Sequence, residues 1–364
     1  MGKRLMIMAG GTGGHVYPAL AVARELMEAG HEVTWMGTHK GMEARVIPAA
    51  GIPVEWLSVA GLRGKGWRET LKAPFMLLRA LRQSAAILRR VKPDVVLGMG
   101  GFVSGPGGLM ATMMGIPLVL HEQNRVPGTT NRLLAKRATA VLEAFPESFP
   151  SAVSANATGN PLRREIASLP VRQISWAPGH PLNVLVVGGS LGAKALNEAV
   201  PVALAKLGHP MNIRHQTGEA MRAETAERYR AAGLAAKVSA FVEDMAEAYG
   251  WADLVICRSG AMTVSELAAA GLPAVLVPYP HAIDDHQTKN AHYLVDVGAA
   301  VLMPQSELTP ESLVAVLTNL LESHGKIDLM SQKARTMAKP EAAQIVAGIC
   351  LDKALNSAQA GRKS

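Results

Sequence analysis

Cysteine is nearly absent: only Cys257 and Cys350 occur in 364 residues, far apart in sequence. That excludes a disulfide-built fold and a cysteine zinc site, and it fits a reducing compartment. Long apolar runs are missing as well. No stretch approaches the roughly 18 uncharged apolar residues that a spanning helix needs. The apolar run in the opening MGKRLMIMAGG is too short for a signal peptide. Low-complexity tracts are lacking, and with 18% charged and 49% hydrophobic residues the chain does not read as disordered. A soluble, cytoplasmic protein is expected. There is no D-x-D and no histidine pair at metal-ligand spacing. A metal-dependent sugar-nucleotide site therefore has no support, and neither a metal nor a cofactor is expected.

What is present is a repeated design. Residues 4–9 (RLMIMA) read as a buried strand that runs into GGTGGH. A helix follows with Leu20, Ala23, Leu26 and Met27 on one side and Gly30 as its stop. VTWM (33–36), DVVLG (94–98) and IPLVL (116–120) are the next strands, the second entering GMGGFVSGPGG and the third ending in HEQN. The design restarts near residue 183 with NVLVVGGSLGAKALNEA, followed by DLVIC into RSGAMTVSELAAAG and PAVLVPYP into DDHQTKNAHYL. Strands alternating with helices predict an α/β protein with parallel sheets covered on both faces. Two doubly wound domains are expected, one over residues 1–162 and one over 163–339. The linker falls at about 160–180, and a last helix over about 340–357 packs back on the first domain.

The glycine loops fail the two commonest tests. Counting from Gly11, Gly13 fits G-x-G-x-x-G but the third position is Val16, and no acidic residue ends the second strand. GGSLGAKA has Ala193 where a P-loop needs glycine and Ala195 where it needs Ser or Thr. What remains is a set of helix N-termini free of side-chain bulk, suited to phosphate or sugar, with simple turn chemistry as the alternative for any single loop. Ser190, Ser259 and Thr263 stand at loop-to-helix transitions, where their plain role is N-capping.

Charge is unevenly spread. Residues 1–161 hold 18 Lys/Arg and 10 Asp/Glu, whereas the rest of the chain is balanced at 19 of each; residues 63–92 alone hold nine basic residues and one acid, Glu69. On a helical wheel, PFMLLRALRQSAAILRRV puts Met76, Leu77, Leu78, Leu81, Ile87, Leu88 and Val91 on one broad side. Arg79, Arg82, Arg89 and Arg90 lie opposite, with Phe75 among them. A Rossmann helix with a solvated basic face is one reading. An interfacial helix is the other, in which an edge with Phe75 and Leu78 meets lipid and the arginines meet anionic headgroups. No nucleic-acid motif accompanies the charge.

Taken together, MAGGTGGHVYPALAVA, GMGGFVSGPGG, HEQN, GNPLR, VVGGSLGA, FVEDM and CRSGAMTVSELAAAGLPAVLVPYP resemble the MurG family of cell-wall N-acetylglucosaminyltransferases, over about residues 3–354. The resemblance implies the GT-B fold, two Rossmann-like domains facing a cleft. It implies inverting transfer of N-acetylglucosamine from UDP-N-acetylglucosamine to the C4 hydroxyl of the muramoyl sugar of lipid I, giving lipid II. A peripheral place on the cytoplasmic face of the inner membrane is also implied, with anionic membrane as a partner and cell-wall or division proteins as further ones. By motif, Thr12, Gly13 and Gly14 lie by the transferred sugar and acceptor, and Asn124 by the N-acetylglucosamine. Arg163 and Ser190 face the diphosphate. Val242 holds uracil through its backbone. The run Ala261, Met262, Thr263, Val264 and Ser265 contacts the nucleotide, and Glu266 accepts from the ribose hydroxyls. Gln287 binds sugar hydroxyls.

Two positions depart from the family pattern: His286 stands where a second Gln is expected, and Leu191 where a Gln is. For the general base His15 leads and Glu122 of HEQN is the rival. A histidine packing on its helix and a carboxylate bracing a loop are the plain alternatives. Against the family function stand another GT-B UDP-sugar transferase with a different lipid acceptor, and a nucleotide-binding membrane adaptor without catalysis.

Overall fold

The computed structural model describes residues 2–58, 67–170, 181–189, 192–322 and 325–360. The chain divides into two compact units, residues 1–163 with 340–364, and residues 164–339. In the first unit the strands are β1 (Arg4–Met8), β2 (Glu32–Gly37), β3 (Val54–Trp56), β4 (Val95–Gly98), β5 (Leu118–Glu122), β6 (Ala140–Glu143) and β7 (Asn156–Ala157). Between them run α1 (Gly13–Glu28), α2 (Glu43–Ala49), α3 (Trp67–Val91), α4 (Gly101–Met113) and α5 (Thr129–Ala135). The second unit starts with α6 (Arg164–Ala167), then β8 (Leu182–Val187), α7 (Lys194–Leu207), β9 (Met211–Gln216), α8 (Arg222–Ala231) and β10 (Ala236–Ser239). It continues with α9 (Met245–Trp251), β11 (Leu254–Cys257), α10 (Ala261–Ala270), β12 (Ala274–Leu276), α11 (His286–Val295), β13 (Ala300–Leu302), α12 (Pro310–Glu322) and α13 (Lys326–Thr336). The last helix, α14 (Ala342–Ala360), belongs to the first unit.

Both sheets are parallel. Their strand orders are β3-β2-β1-β4-β5-β6-β7 and β10-β9-β8-β11-β12-β13. Strand order reverses direction between β1 and β4 in one sheet and between β8 and β11 in the other. In open α/β sheets that switch, at the carboxyl ends of the strands, is where ligands collect. The segments that run from strand into helix at the two switches are GGTGGH, GMGGFVSG and RSGAMT, with Gly188 and Gly189 of the GGSLGA motif following β8.

The period-two pleat explains the layering of the first unit. Leu5, Ile7 and Ala9 face a core shared with Leu20, Ala23 and Leu26 of α1 and Val346, Ala347, Cys350 and Ala354 of α14. Met6 and Met8 face the opposite core, with Ile87 and Leu88 of α3 and Val103 of α4. Met27, expected beside Leu26, is instead 40% exposed, because the apolar stripe of α1 is narrower than its sequence spacing implies. Both cysteines are free and buried, and burial pushes their thiols up to about 12.

Two buried histidines make stability pH-dependent. Burial lowers His121 to about 4 against the pull of the Gly159 carbonyl, and lowers His215 to about 3. Below about 6.5 the unfolded chain binds these protons while the folded chain does not, so stability present above 6.5 is lost as pH falls toward 4 and 3. At about 1.4 kcal/mol per pH unit for each group, roughly 2 kcal/mol per histidine is gone by pH 5. Melting temperatures measured at pH 7 and pH 5 should drop accordingly; equal values would show that these imidazoles titrate normally.

Candidate active site

The GGTGGH loop leaves β1 and enters α1 at Gly13. Thr12 is the extended residue before the helix, and its side chain makes no capping bond. The loop is held from beneath by a residue that sequence reading missed. Glu43 is fully buried, and its carboxylate accepts from the Gly11 N–H (2.9 Å), the Thr38 N–H (3.0 Å) and the Thr38 hydroxyl (2.8 Å). Those three donors offset the cost of burying the charge. A Cβ at Gly10 or Gly41 would collide with this carboxylate.

The GMGG loop packs on top. Gly100 (φ +92°) and Gly101 (φ +81°) adopt left-handed backbone. A Cβ at Gly100 would stand 2.9 Å from the His15 ring, and one at Gly101 would stand 2.5 Å from the Gly10 carbonyl. Glycine here serves the close approach of two loops, which belong to adjacent strands β1 and β4. His15 is half-buried, and its Nδ1 lies 2.7 Å from Gln123 Oε1. Thr12 and Gly14 are exposed, and Gly13 is half-buried. Arg163 closes the first unit, with its guanidinium 5.6 Å from the Tyr17 ring on α1.

Glu122 is a different case from His15. It is 2% exposed; Oε1 accepts from the Asn124 N–H (2.9 Å) and amide (3.3 Å), and Oε2 from the Gly128 N–H (3.0 Å) and Asn131 amide (2.9 Å). A carboxylate taken up by four donors braces the HEQN loop and is poorly placed to take a proton. For Glu122 that environment favours the bracing role over the rival-base reading. Asn124, half-buried beside it, is carried by the same brace.

In the second unit Gln216 ties two loops together. Its amide accepts from the Gly189 N–H (3.0 Å) and donates to the carbonyls of Gly189 (3.0 Å) and Ala240 (2.8 Å). The glycine loop after β8 is thereby clipped to the segment that carries half-buried Val242. Ser190 lies outside the described residues, as does Leu191.

Helix α10 begins after Gly260 without a side-chain cap. Ser259, expected as a capping residue, has its hydroxyl buried with no hydrogen-bond partner among the described residues. By contrast α9 is capped by Asp244, which accepts from the Glu247 N–H, and α12 by Thr309, which accepts from the Ser312 N–H. Met262 and Thr263 are half-buried on the first turn of α10, and Ala261 is buried. Val264 points into the core and offers only backbone, while the Ser265 hydroxyl donates to the Ala261 carbonyl at 3.0 Å. Glu266 is the sixth residue of α10, not at its start, so first-turn capping does not account for it. It is nearly buried, and the Tyr249 hydroxyl donates to its Oε2 at 3.0 Å.

Gln287 sits in the first turn of α11 and accepts from the Tyr279 N–H at 2.9 Å, which ties it to the loop after β12. Arg258 braces the same loop by donating to the carbonyls of Val277 and Pro278, both at 3.1 Å. Its place in CRSG carries no local signal of this role. Among the described residues no cluster of three or more His, Cys, Asp or Glu side chains is placed to hold a metal ion.

Among the described side chains of α3, part of the exposed surface is apolar. Phe75 is 73% exposed, with Leu77 and Leu78 also exposed, while Ala80, Ala85, Ile87 and Leu88 pack inward. Leu77, on the broad apolar side of the wheel, is thus at the surface beside Leu78. Arg79, Arg82 and Arg89 are exposed on the same helix, and Arg90 pairs with Glu55. Arg63 and Lys65 of the basic segment lie outside the described residues. Among the described residues no helix is long and apolar enough to cross a membrane.

Residues 5–143 match the glycosyltransferase family 28 N-terminal domain and residues 183–346 its C-terminal domain. The chain is 60% identical to the UDP-N-acetylglucosamine–N-acetylmuramyl-(pentapeptide) pyrophosphoryl-undecaprenol N-acetylglucosamine transferase of Methylococcus capsulatus, over 97% of this chain and 99% of that one. It is 52% identical to the protein of the same name from Pseudomonas fluorescens, over 97% and 99%. Among solved structures, that of Acinetobacter baumannii MurG superposes with a TM-score of 0.85 at 45% identity, covering 96% of this chain and 99% of that one.

Proposed function

Because the chain belongs to glycosyltransferase family 28 and, within it, to the N-acetylglucosamine transferases acting on muramyl-(pentapeptide) pyrophosphoryl-undecaprenol, we propose that its two switch points divide the work of one hexosyl transfer. It moves N-acetylglucosamine from UDP-N-acetylglucosamine to the C4 hydroxyl of the muramoyl sugar of lipid I, forming lipid II. The observation that carries the division is that each switch point bears helices entered from glycine loops whose first turns no side chain caps.

The donor is assigned to the second unit. The first turn of α10, with the Thr263 hydroxyl, receives the diphosphate, since helix N-termini favour anions. Glu266, held at Oε2 by Tyr249, accepts from the ribose hydroxyls through its remaining acceptor capacity. The backbone at Val242 reads uracil, and Gln287 binds sugar hydroxyls from the loop it shares with Tyr279. Ser190 and Arg163 are assigned to the diphosphate on the resemblance of their motifs.

The acceptor is assigned to the first unit. Thr12, Gly13, Gly14 and Asn124 line the place of the reacting sugars, and His15 is the general base. The muramoyl C4 oxygen attacks the anomeric carbon in line as the bond to the UDP oxygen breaks. UDP leaves with the bonding pair, and the hydroxyl proton passes to His15. The anomeric configuration inverts in this single displacement. Mass spectrometry and NMR of the product of UDP-N-acetylglucosamine with a lipid I analogue test it: a β-(1→4) disaccharide is expected, and an α-linkage would overturn the mechanism.

We also assign the protein to the cytoplasmic face of the inner membrane, as a peripheral protein. The support is the exposed trio Phe75, Leu77 and Leu78 beside Arg79, Arg82 and Arg89, together with a polyprenyl-linked acceptor. Replacing Phe75 and Leu78 together by serine should weaken partition onto anionic vesicles by about tenfold or more. Added salt should weaken wild-type binding. Vesicle binding indifferent to both changes would remove α3 from the contact.

A further inference from the structure

A chain of hydrogen bonds leads from His15 into the core of the first unit. His15 Nδ1 meets Gln123 Oε1 at 2.7 Å. The Gln123 amide nitrogen lies 3.1 Å from both the carbonyl oxygen and Nδ1 of His121. His121 Nε2 lies 3.0 Å from the Gly159 carbonyl. Gln123 is 1% exposed and His121 fully buried, and the Asn160 amide donates to the Gln123 carbonyl at 3.1 Å. Nothing in the donor or acceptor assignments already made requires this chain.

Its two carbonyls can only accept, and that decides every proton along it. The Gly159 oxygen requires a proton on His121 Nε2. Burial keeps that imidazole neutral, holding it down at about 4, so its Nδ1 is a lone pair. The group facing both this lone pair and the His121 carbonyl must be a donor, which is the amide nitrogen of Gln123. Flipping that amide would set two oxygens against each other at 3.1 Å. Gln123 Oε1 therefore faces His15, and an amide oxygen can only accept. The proton of neutral His15 must then sit on Nδ1.

We propose that Gln123 and His121 are positioning residues that lock His15 in the Nδ1–H tautomer and so leave its Nε2 lone pair to take the acceptor proton. This rests on His15 being the general base. In the step, the C4 hydroxyl proton passes to Nε2, the oxygen pair forms the new bond to the anomeric carbon, and the old C–O pair leaves with UDP. The Nδ1 proton stays in its bond to Gln123 throughout. Free imidazole favours the opposite tautomer, so without the chain most His15 side chains would present the wrong nitrogen. A carboxylate does this service in serine hydrolase triads; here a neutral amide does it, anchored on backbone carbonyls.

The test is 15N NMR of the full-length protein labelled at histidine, the His15 resonances being identified by their loss in His15→Ala. Wild type should show His15 protonated at Nδ1 and bare at Nε2. Gln123→Met, similar in shape but without the amide, should populate the other tautomer and lower kcat by about tenfold or more. KM for UDP-N-acetylglucosamine should stay unchanged, and a melting curve reports whether the variant folds. An Nε2–H signal in wild type overturns the proposal without need of any variant. Unchanged kcat in folded Gln123→Met overturns it as well. Near-normal kcat in His15→Ala sinks the base reading itself, an outcome separable from a failure of the relay alone.

Discussion

His15→Ala is expected to lower kcat by about 10²- to 10⁴-fold, the range that a positioned general base contributes, while donor affinity stays at the wild-type level. The split follows from where the residue stands. His15 lies in the first turn of α1, over Gly100 and against Gln123. The groups assigned to UDP belong mainly to the other unit. Loss of a base raises the barrier to proton transfer without touching uracil, ribose or the α10 first turn. Turnover and donor dissociation constants measured on the same preparation check this. Near-normal turnover would return the proton to another group, and with its four donors Glu122 is not a natural heir.

Glu266→Ala should weaken UDP binding by about 10²-fold. The charged carboxylate is asked to hold ribose hydroxyls, and hydrogen bonds to charged groups are worth about 1.5–3 kcal/mol each. The change also removes an acceptor of the Tyr249 hydroxyl, so a melting curve belongs beside the titration. The sharper control is 2′-deoxy-UDP. If Glu266 reads the ribose, the variant should lose much less affinity for the deoxy ligand than for UDP. Equal losses would mean that the carboxylate only packs the helix, and unchanged UDP affinity would end the assignment.

The sheets and their loops were readable because each rests on local pattern. RLMIMA and NVLVV are short apolar runs stopped by glycines, and parallel strands buried on both faces need little more. The braces were not readable. Glu43 looks like an ordinary helix-start glutamate in GMEARV, yet it is fully buried, because folding brings Gly11 to it from 32 residues away. Gln123 and His121 read as polar neighbours of Glu122 and Asn124. Their role depends on His15 and Gly159, which the β1-β4-β5-β6-β7 order brings within reach. Glu122 shows the converse. Its residue type permitted a base, and only the count of its donors reveals a brace. Gly100 and Gly101, read in sequence as part of a ligand loop, also make room for His15 and the Gly10 carbonyl. For α3 the wheel separated most of the apolar surface from the charge, but not which apolar residues a neighbour covers: Leu77 and Leu78 stay exposed while Ile87 and Leu88 are buried.

The most direct test of the account is release of UDP from UDP-N-acetylglucosamine by the purified protein, with and without a lipid I analogue. Release that depends on the analogue, and that His15→Ala abolishes while UDP still binds, is the predicted result. Equal release without the acceptor, or none with it while UDP binds normally, would contradict it.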